Sequence, residues 1–566
     1  METIKKLIPG CAVLAGSAVL AGCSGTAEEA TSNVAQGDEQ RPNIIYIMSD
    51  DHAVRALSAY GSDLAELAPT PNIDRIAQNG ALFTNSFVTN SLCGPSRAAM
   101  FTGKFGHKNG FNFNGQEFDG SQDIWVNALH DAGYTTAAIG KWHINLTPKG
   151  FKLDHWEILN DQGEYYNPDW ITADGVHTEY GYTTDLITDK TLSWLDEQRD
   201  ESKPFALIMH HKAPHRNWMP APRHTRTFEN VEFPVPQTYF DDWEGRQAAA
   251  EQEMTIYLHS QEGHDLKMTT GVGESEWRQD IWPHLFARLT DEQRKEWDDA
   301  YQARNDYMNA NEANWSDEEM ALWKYQRYMQ DYLATIISVD ESVGEVLDYL
   351  DANGLTENTI VVYTSDQGFF TGEHGFFDKR FMYEESFRTP LVMQYPAKIE
   401  AGTVVDAMVQ NIDYAPTFME YAGVELYDDV DGQSMVEVLA GNSDQARDAL
   451  YYHFYEFPGF HMVHRHYGVR DDRYKLMHFY HPGDEWEFYD LSKDPLEVNN
   501  AIDNPEYAGE IARLRTRLQE LEAQYAVPPM DEWRDMVLQE YKGAKYKLDE
   551  MFPDSYEDGK VIRVVE

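Results

Sequence analysis

The chain of 566 residues has three cysteines, and two of them, Cys11 and Cys23, lie in the first 23 positions. That leaves Cys93 alone in the body of the protein, which excludes a disulfide scaffold and a thiolate-rich zinc cluster. Positive charge is also scarce. Lys and Arg number 46 against 96 Asp and Glu, a formal charge of −50, which argues against general binding to nucleic acid or to anionic membranes. So acidic a surface suits solubility in salt, and a polyanionic ligand would need a local basic patch. Long apolar runs are missing too: Leu7 to Leu20 is too short, and too interrupted by Pro9 and glycines, to span a bilayer. What remains is 42% hydrophobic and 13% aromatic, a composition that predicts one large globular domain plus a smaller one.

Lys5 and Lys6 precede the apolar run, and Leu20-Ala21-Gly22-Cys23 resembles a bacterial lipobox. The resemblance implies a lipoprotein signal peptide over 1–22, lipidation of Cys23, and an exported protein, periplasmic or outer-membrane anchored. Residues 23–41 read as a polar tether. The lipid would be its only membrane contact.

The lone Cys93 opens Cys93-Gly94-Pro95-Ser96-Arg97. Pro95 ends the preceding element, and Ser96 to Met100 predicts the first turn of a helix. Cys93 and Arg97 then sit at a helix N-terminus, where amide groups and the dipole favour an anion. Asn43 to Met48 is a short apolar run consistent with a buried parallel strand. It ends in Ser49-Asp50-Asp51, and Thr359 to Thr364 repeats the pattern before Ser365-Asp366-Gln367. Ligands in open α/β sheets gather at the carboxyl ends of strands. Asp50, Asp51, Asp366 and the Gln367 amide oxygen therefore form a candidate set of hard ligands for Ca²⁺ or Mg²⁺, with helix N-capping the alternative for the first pair. Two further strands, Thr135 to Gly140 and Phe205 to Met209, run into Lys141-Trp142-His143 and His210-His211-Lys212-Ala213-Pro214-His215. His210 and His211 lack the ligand spacing of a zinc site.

Cys-x-Pro-Ser-Arg followed by Thr102-Gly103-Lys104, then Gly140-Lys141-Trp142-His143, Asp366-Gln367-Gly368 and Phe377-Asp378-Lys379-Arg380, resembles the type I sulfatases over roughly residues 42–525. The resemblance implies an α/β alkaline-phosphatase-like fold: a large mixed, mostly parallel sheet between helices, with a smaller C-terminal α+β subdomain. It further implies that a sulfatase-maturating enzyme converts Cys93 to formylglycine (3-oxoalanine), whose hydrate is the nucleophile. One calcium ion would be held by Asp50, Asp51, Asp366, Gln367 and residue 93. Gln367 departs from the Asn or His common at that position. Arg97, Lys141, His143, His215 and Lys379 would complete the catalytic set, with His215 the acid for the leaving alcohol and His143 a base.

The catalytic domain is expected over 42–440 and the C-terminal subdomain over 441–566. In the latter, Tyr474 to Tyr480 and Trp486 to Leu491 predict antiparallel strands, and Pro505 to Gln524 an amphipathic helix. Residues 326–350 predict a core helix, and 225–325 either shape substrate access or decorate the surface. A basic concentration is expected from Arg216, Arg223, His224, Arg226, His461, His464, Arg465, His466, Arg470, Arg473 and Lys475. Arg216, Trp218, His374 and Arg465 are the candidate sugar contacts, with Trp142 and Tyr383 as further stacking platforms. These features favour a saccharide ligand, and the resemblance, to bacterial polysaccharide and N-acetylglucosamine-6-sulfate sulfatases in particular, implies a sulfatase acting on a sulfated saccharide or polysaccharide, an algal polymer such as ulvan or carrageenan or a glycosaminoglycan. The alternatives are a phosphonate or phosphodiester hydrolase with a similar site, and a non-catalytic polysaccharide-binding lipoprotein.

Overall fold

The structure, a computed structural model, describes residues 41–268, 284–442 and 446–534, with 551, 553–557, 560–562, 564 and 565. The expected signal peptide, the lipobox and the tether up to residue 40 lie outside the described residues.

The site is positioned by six elements: Asn43–Ser49 (β1), Cys93–Thr102 (α1), Thr135–Gly140 (β2), Phe205–His210 (β3), Asp317–Ala352 (α2) and Thr359–Ser365 (β4). The four strands lie side by side in the order β4-β1-β3-β2 within an eleven-stranded sheet. They are parallel, so all four carboxyl ends meet at one edge. Antiparallel strands join towards both sides, giving the mixed, mostly parallel sheet expected.

Strand alternation explains why these runs are apolar throughout. Ile44, Tyr46 and Met48 of β1 face one core, and Ile45 and Ile47 face another. β4 divides in the same way, Ile360 and Val362 against Val361 and Tyr363. Both faces are covered, as parallel sheets require. α2 supplies Val339, Val343, Val346, Leu347 and Leu350 to the second core, each worth about 1.5–3 kcal/mol when fully buried. It starts nine residues before the predicted 326, at a capping box formed by Ser316 and Glu319. In α1 the prediction needs correcting at Pro95. The helix begins at Cys93, with Pro95 inside its first turn, where the missing N–H would have had no partner.

The C-terminal region forms a four-stranded antiparallel sheet, Ala449–Phe454 (β5), Arg465–Asp471 (β6), Tyr474–His481 (β7) and Glu485–Asp490 (β8). Ala508–Gln524 (α3) covers it with Ile511, Leu514, Leu518 and Leu521. Ala99 of α1 and Ile412 join the same core, so this sheet braces the helix that carries Cys93.

Candidate active site

The strand edge collects the carboxylates. β1 runs directly into Asp50 and Asp51, and β4 into Asp366 and Gln367, with Ser49 paired to Ser365. All four side chains are fully buried. Asp51 has a left-handed backbone (φ 69°), which costs a non-glycine residue of order 1 kcal/mol. It is fixed there by Tyr332, whose hydroxyl donates to its carbonyl at 2.8 Å, and by its own N–H donating to Asp366 at 3.2 Å. On the other flank, β2 ends in Gly140 (φ 101°), where a Cβ would stand 2.0 Å from the His210 carbonyl oxygen. Only glycine lets the chain pass β3 and turn Lys141 and His143 into the site.

Three basic side chains at this edge, Arg97, Lys379 and Lys141, each meet a carboxylate. Arg97 donates to Asp366 at 2.9 and 3.1 Å and to the Lys141 carbonyl at 2.9 Å. Lys379 donates to both oxygens of Asp51 at 2.6 and 2.8 Å. Lys141 contacts Asp50 and the Gln162 side chain. The Gln162 amide also donates to Nε2 of His143 at 2.9 Å. His215 donates from Nδ1 to the Arg216 carbonyl at 2.7 Å, leaving Nε2 3.9 Å from Asp51.

Burial sets the protonation of these groups. It pushes the Cys93 thiol up to about 12, Lys379 only partly offsetting it, so the unmodified side chain is a thiol and a poor nucleophile. Burial, then the Lys141 ammonium, lowers both His143 and His215 well below the usual imidazole range. Burial also works against the Lys379 ammonium, but Asp51 more than restores it and the net shift is upward.

The donor set fits a hard divalent cation. Ligand atoms of Asp50, Asp51 and Asp366 all lie within 4.8 Å of one another. Asp50 Oδ1 and Gln367 Oε1 are buried and make no hydrogen bond, an expensive state for polar atoms that an oxygen-seeking ion would relieve. A second grouping of Asp50, Cys93 and His215 adjoins it. Neither His210 nor His211 belongs to a metal-capable grouping among the described residues.

Above Cys93 opens a cleft of about 580 Å³, lined in part by Gln162, Lys212, His215, Arg216, Lys379 and His461. Of the four candidate sugar contacts, Arg216 lines it and the other three do not. Trp218 is packed edge-on against Tyr328, Phe369 and Phe377. His374 is buried against Asp241, and Arg465 is buried with its guanidinium on the carbonyls of Phe457 and Trp533. Trp142 lies between Phe101 and Phe151, and Tyr383 donates to Glu487. These large side chains are consumed by the core.

The expected basic mouth is also absent among the described residues. Arg223 pairs with Asp185 and Glu341, His224 with Glu341, Arg226 with Glu229, and His464 with Glu251. Arg470 and Lys475 share Glu384, and Arg473 holds Asp490. His466 accepts from the Met382 N–H. Asp161, Glu164, Asp378 and Glu456 line the cleft instead, so its rim is of mixed charge.

Several lining residues escaped the sequence reading. The carboxylate of Asp265 clamps Arg216 at 2.6 and 2.7 Å and holds His264 at 2.8 Å, so the 225–325 segment does contribute to the cleft. Asp378 pairs with Arg380 and lies 3.2 Å from His461. Lys212, Asp378 and Arg380 lie inside motif stretches quoted from the sequence, which gave them no role. Gln162 and Asp265 carry no such signal.

The sulfatase family profile matches residues 42–424, and that of the N-sulphoglucosamine sulphohydrolase C-terminal region matches 372–524. An N-acetylglucosamine-6-O-sulfatase of Bacteroides thetaiotaomicron is 47% identical over 512 residues, 88% of this chain and 90% of its own. A solved structure described as a complex with its substrate D-glucosamine-2-N,6-O-disulfate aligns at TM-score 0.82 and 46% identity, covering 87% of this chain and 100% of that one. A phosphonate monoester hydrolase of Agrobacterium radiobacter, 20% identical, shares the fold at TM-score 0.62 over 86% of this chain and 96% of its own. Identity of the first extent over most of both chains, with a family match across more than half of this one, decides between those chemistries: the chain belongs to the sulfatase family and is a sulfuric ester hydrolase.

Proposed function

We propose that this sulfatase removes a 6-O-sulfate from an N-acetylglucosamine-type unit of a glycosaminoglycan-like saccharide, using residue 93 as formylglycine beside one calcium ion. The carrying observation is the position of Cys93, at the floor of the cleft and facing Lys379, Arg97 and the carboxylate cluster. The 47%-identical relative supports the sugar and the sulfate position. Export and lipidation at Cys23 rest on the sequence alone.

Formylglycine supplies a hydrated aldehyde with an oxygen nucleophile, and calcium, held by Asp50, Asp51, Asp366 and Gln367, supplies positive charge for the sulfate oxygens. Lys141, Lys379 and Arg97 surround the same point and neutralise charge where it develops. An anionic nucleophile can approach an anionic ester only in such a field. His215 is fixed by its Nδ1–H bond to the Arg216 carbonyl, so Nε2 is the atom that exchanges a proton at the cleft. Burial and then Lys141 keep it neutral in the free site. The negative charge of a bound sulfate favours its protonation, preparing it to donate to the leaving sugar oxygen. His143 is also kept neutral by burial and Lys141, and to serve as the base for residue 93 its Nε2 must first release the Gln162 amide that it accepts from in the free site.

The test is the mass of the Cys93 peptide from the mature protein, combined with turnover of N-acetylglucosamine 6-sulfate, an aryl sulfate and a phosphonate monoester. The aldehyde mass with preference for the sugar sulfate is expected. Phosphonate preference would move the assignment to the other hydrolase class. An unconverted cysteine with saccharide binding but no turnover would make the protein a binding lipoprotein.

A further inference from the structure

Among the described residues, the lysines and arginines at the cleft are each paired with a carboxylate, with one exception. Lys141, Lys379 and Arg97 meet Asp50, Asp51 and Asp366. On the walls, Arg216 meets Asp265 and Arg380 meets Asp378. Lys212, two residues past the end of β3, makes no ion pair with any described residue. Its ammonium lies 3.5 Å from the Gln162 carbonyl oxygen and 5.0 Å from the centre of the Tyr165 ring. It is nonetheless only 5% exposed and lines the cleft with Cys93 and His215.

A buried ammonium with one long hydrogen bond and one aromatic face is costly. Its neighbours relieve that cost only in part. Glu164 and Asp161 act on it only through space, as do Asp51 and Cys93. The wall arginines hold carboxylates outside the metal-type cluster, so their neutralisation persists whatever Asp50, Asp51 and Asp366 bind. We propose that Lys212 is a substrate-binding residue whose ammonium contacts an oxygen of the sulfate group, and that the bound sulfate is its missing counter-ion. This rests on the sulfate-ester reading of the cleft.

The mature full-length enzyme tests it with Lys212→Met and Lys212→Arg. Loss of one charge-assisted hydrogen bond predicts a fall in kcat/KM of roughly 10- to 100-fold for Lys212→Met, and a similar weakening of inhibition by inorganic sulfate. Lys212→Arg should restore part of both. The melting temperature of the ligand-free Met variant should hold or rise, because an unpaired buried charge has gone. Unchanged sulfate inhibition in Lys212→Met would overturn the assignment. So would a melting temperature that drops in step with activity, since that marks a structural lysine. If the wild type turned over no sulfate ester, the substrate reading would fail separately. Calorimetry with inorganic sulfate on the wild type and Lys212→Met would still decide the role of Lys212.

Discussion

The floor and the walls of the cleft are built by different rules. At the floor, most proposed catalytic groups sit within a few residues of a parallel strand's end or in the first turns of α1, and partners meet because parallel strands end together; Lys379, 14 residues past the end of β4, is the exception. On the walls, partners come from remote parts of the chain: Arg216 meets Asp265 49 positions on, and Asp378 meets His461 83 positions on. The floor fixes the chemistry and the walls fix what is admitted to it, the division expected when loops ride on a rigid sheet. Substitutions should therefore separate in kind. Floor changes should reduce kcat, and wall changes should act mainly on KM.

The largest effect is expected at the nucleophile. Cys93→Ala should lower kcat/KM by roughly 10⁴-fold or more, while losing one small buried side chain shifts the melting temperature by only a few degrees. Steady-state kinetics beside calorimetry checks both. A wall variant with an equal loss of kcat would break the division. Next comes Asp366→Asn, which removes the nearer of the two carboxylates paired with buried Arg97, leaving Asp50 at 3.5 Å, and one of the three metal-type carboxylates. Breaking a buried pair costs about 3–5 kcal/mol, so a marked drop in melting temperature should accompany loss of turnover. Chelator should lower the melting temperature of the wild type more than that of this variant, because a ligand bound only to the folded state stabilises it. Metal analysis of the two purified proteins gives an independent reading.

At the wall, Asp265→Asn should be milder. Asp265 is fully buried and holds Arg216 through two hydrogen bonds. The substitution leaves the guanidinium in place but without its charged clamp. A rise in KM of roughly 10-fold with kcat little changed is expected, in line with one loosened charge-assisted contact. A loss confined to kcat would instead assign Arg216 to the floor.

The same division explains what could be read from the sequence. The four central strands were legible because each is apolar on both faces; Asp50, Asp51, Asp366, Gln367, Lys141 and His143 were legible because they follow those strands directly, whereas the roles of Cys93, Arg97 and Lys379 came from the motif resemblance. Trp218, His374 and Arg465 were misplaced for one reason: residue type reports what a side chain can do, and burial decides whether it is free to do it. Trp218 stacks well, but three aromatic rings already hold it. The basic concentration failed similarly, because an excess of acids supplies most of its arginines with carboxylate partners, several of them distant in sequence. Lys212 is the converse, a motif neighbour whose importance lies in a partner it lacks.

The smallest predicted effect lies outside the cleft and sharpens the contrast in charge pairing. Glu487 on β8 is as buried as the floor carboxylates but has no cation of its own. Tyr383 and Tyr489 donate to one oxygen at 2.9 and 2.7 Å, and the other oxygen makes no hydrogen bond. Arg246, near enough to matter, is already bound to Asp241. Burial, then Glu485, raises the Glu487 carboxyl to about 8. The folded state thus holds a proton that the unfolded chain releases near pH 4.5. Its contribution is full below that pH and is lost as pH rises through about 8. Glu487→Gln removes the titration, so its melting temperature should match the wild type near pH 4.5 and exceed it by roughly 2–4 °C at pH 9. A gap that did not widen with pH would mean that Glu487 is compensated after all, by the same rule as the carboxylates beneath the substrate.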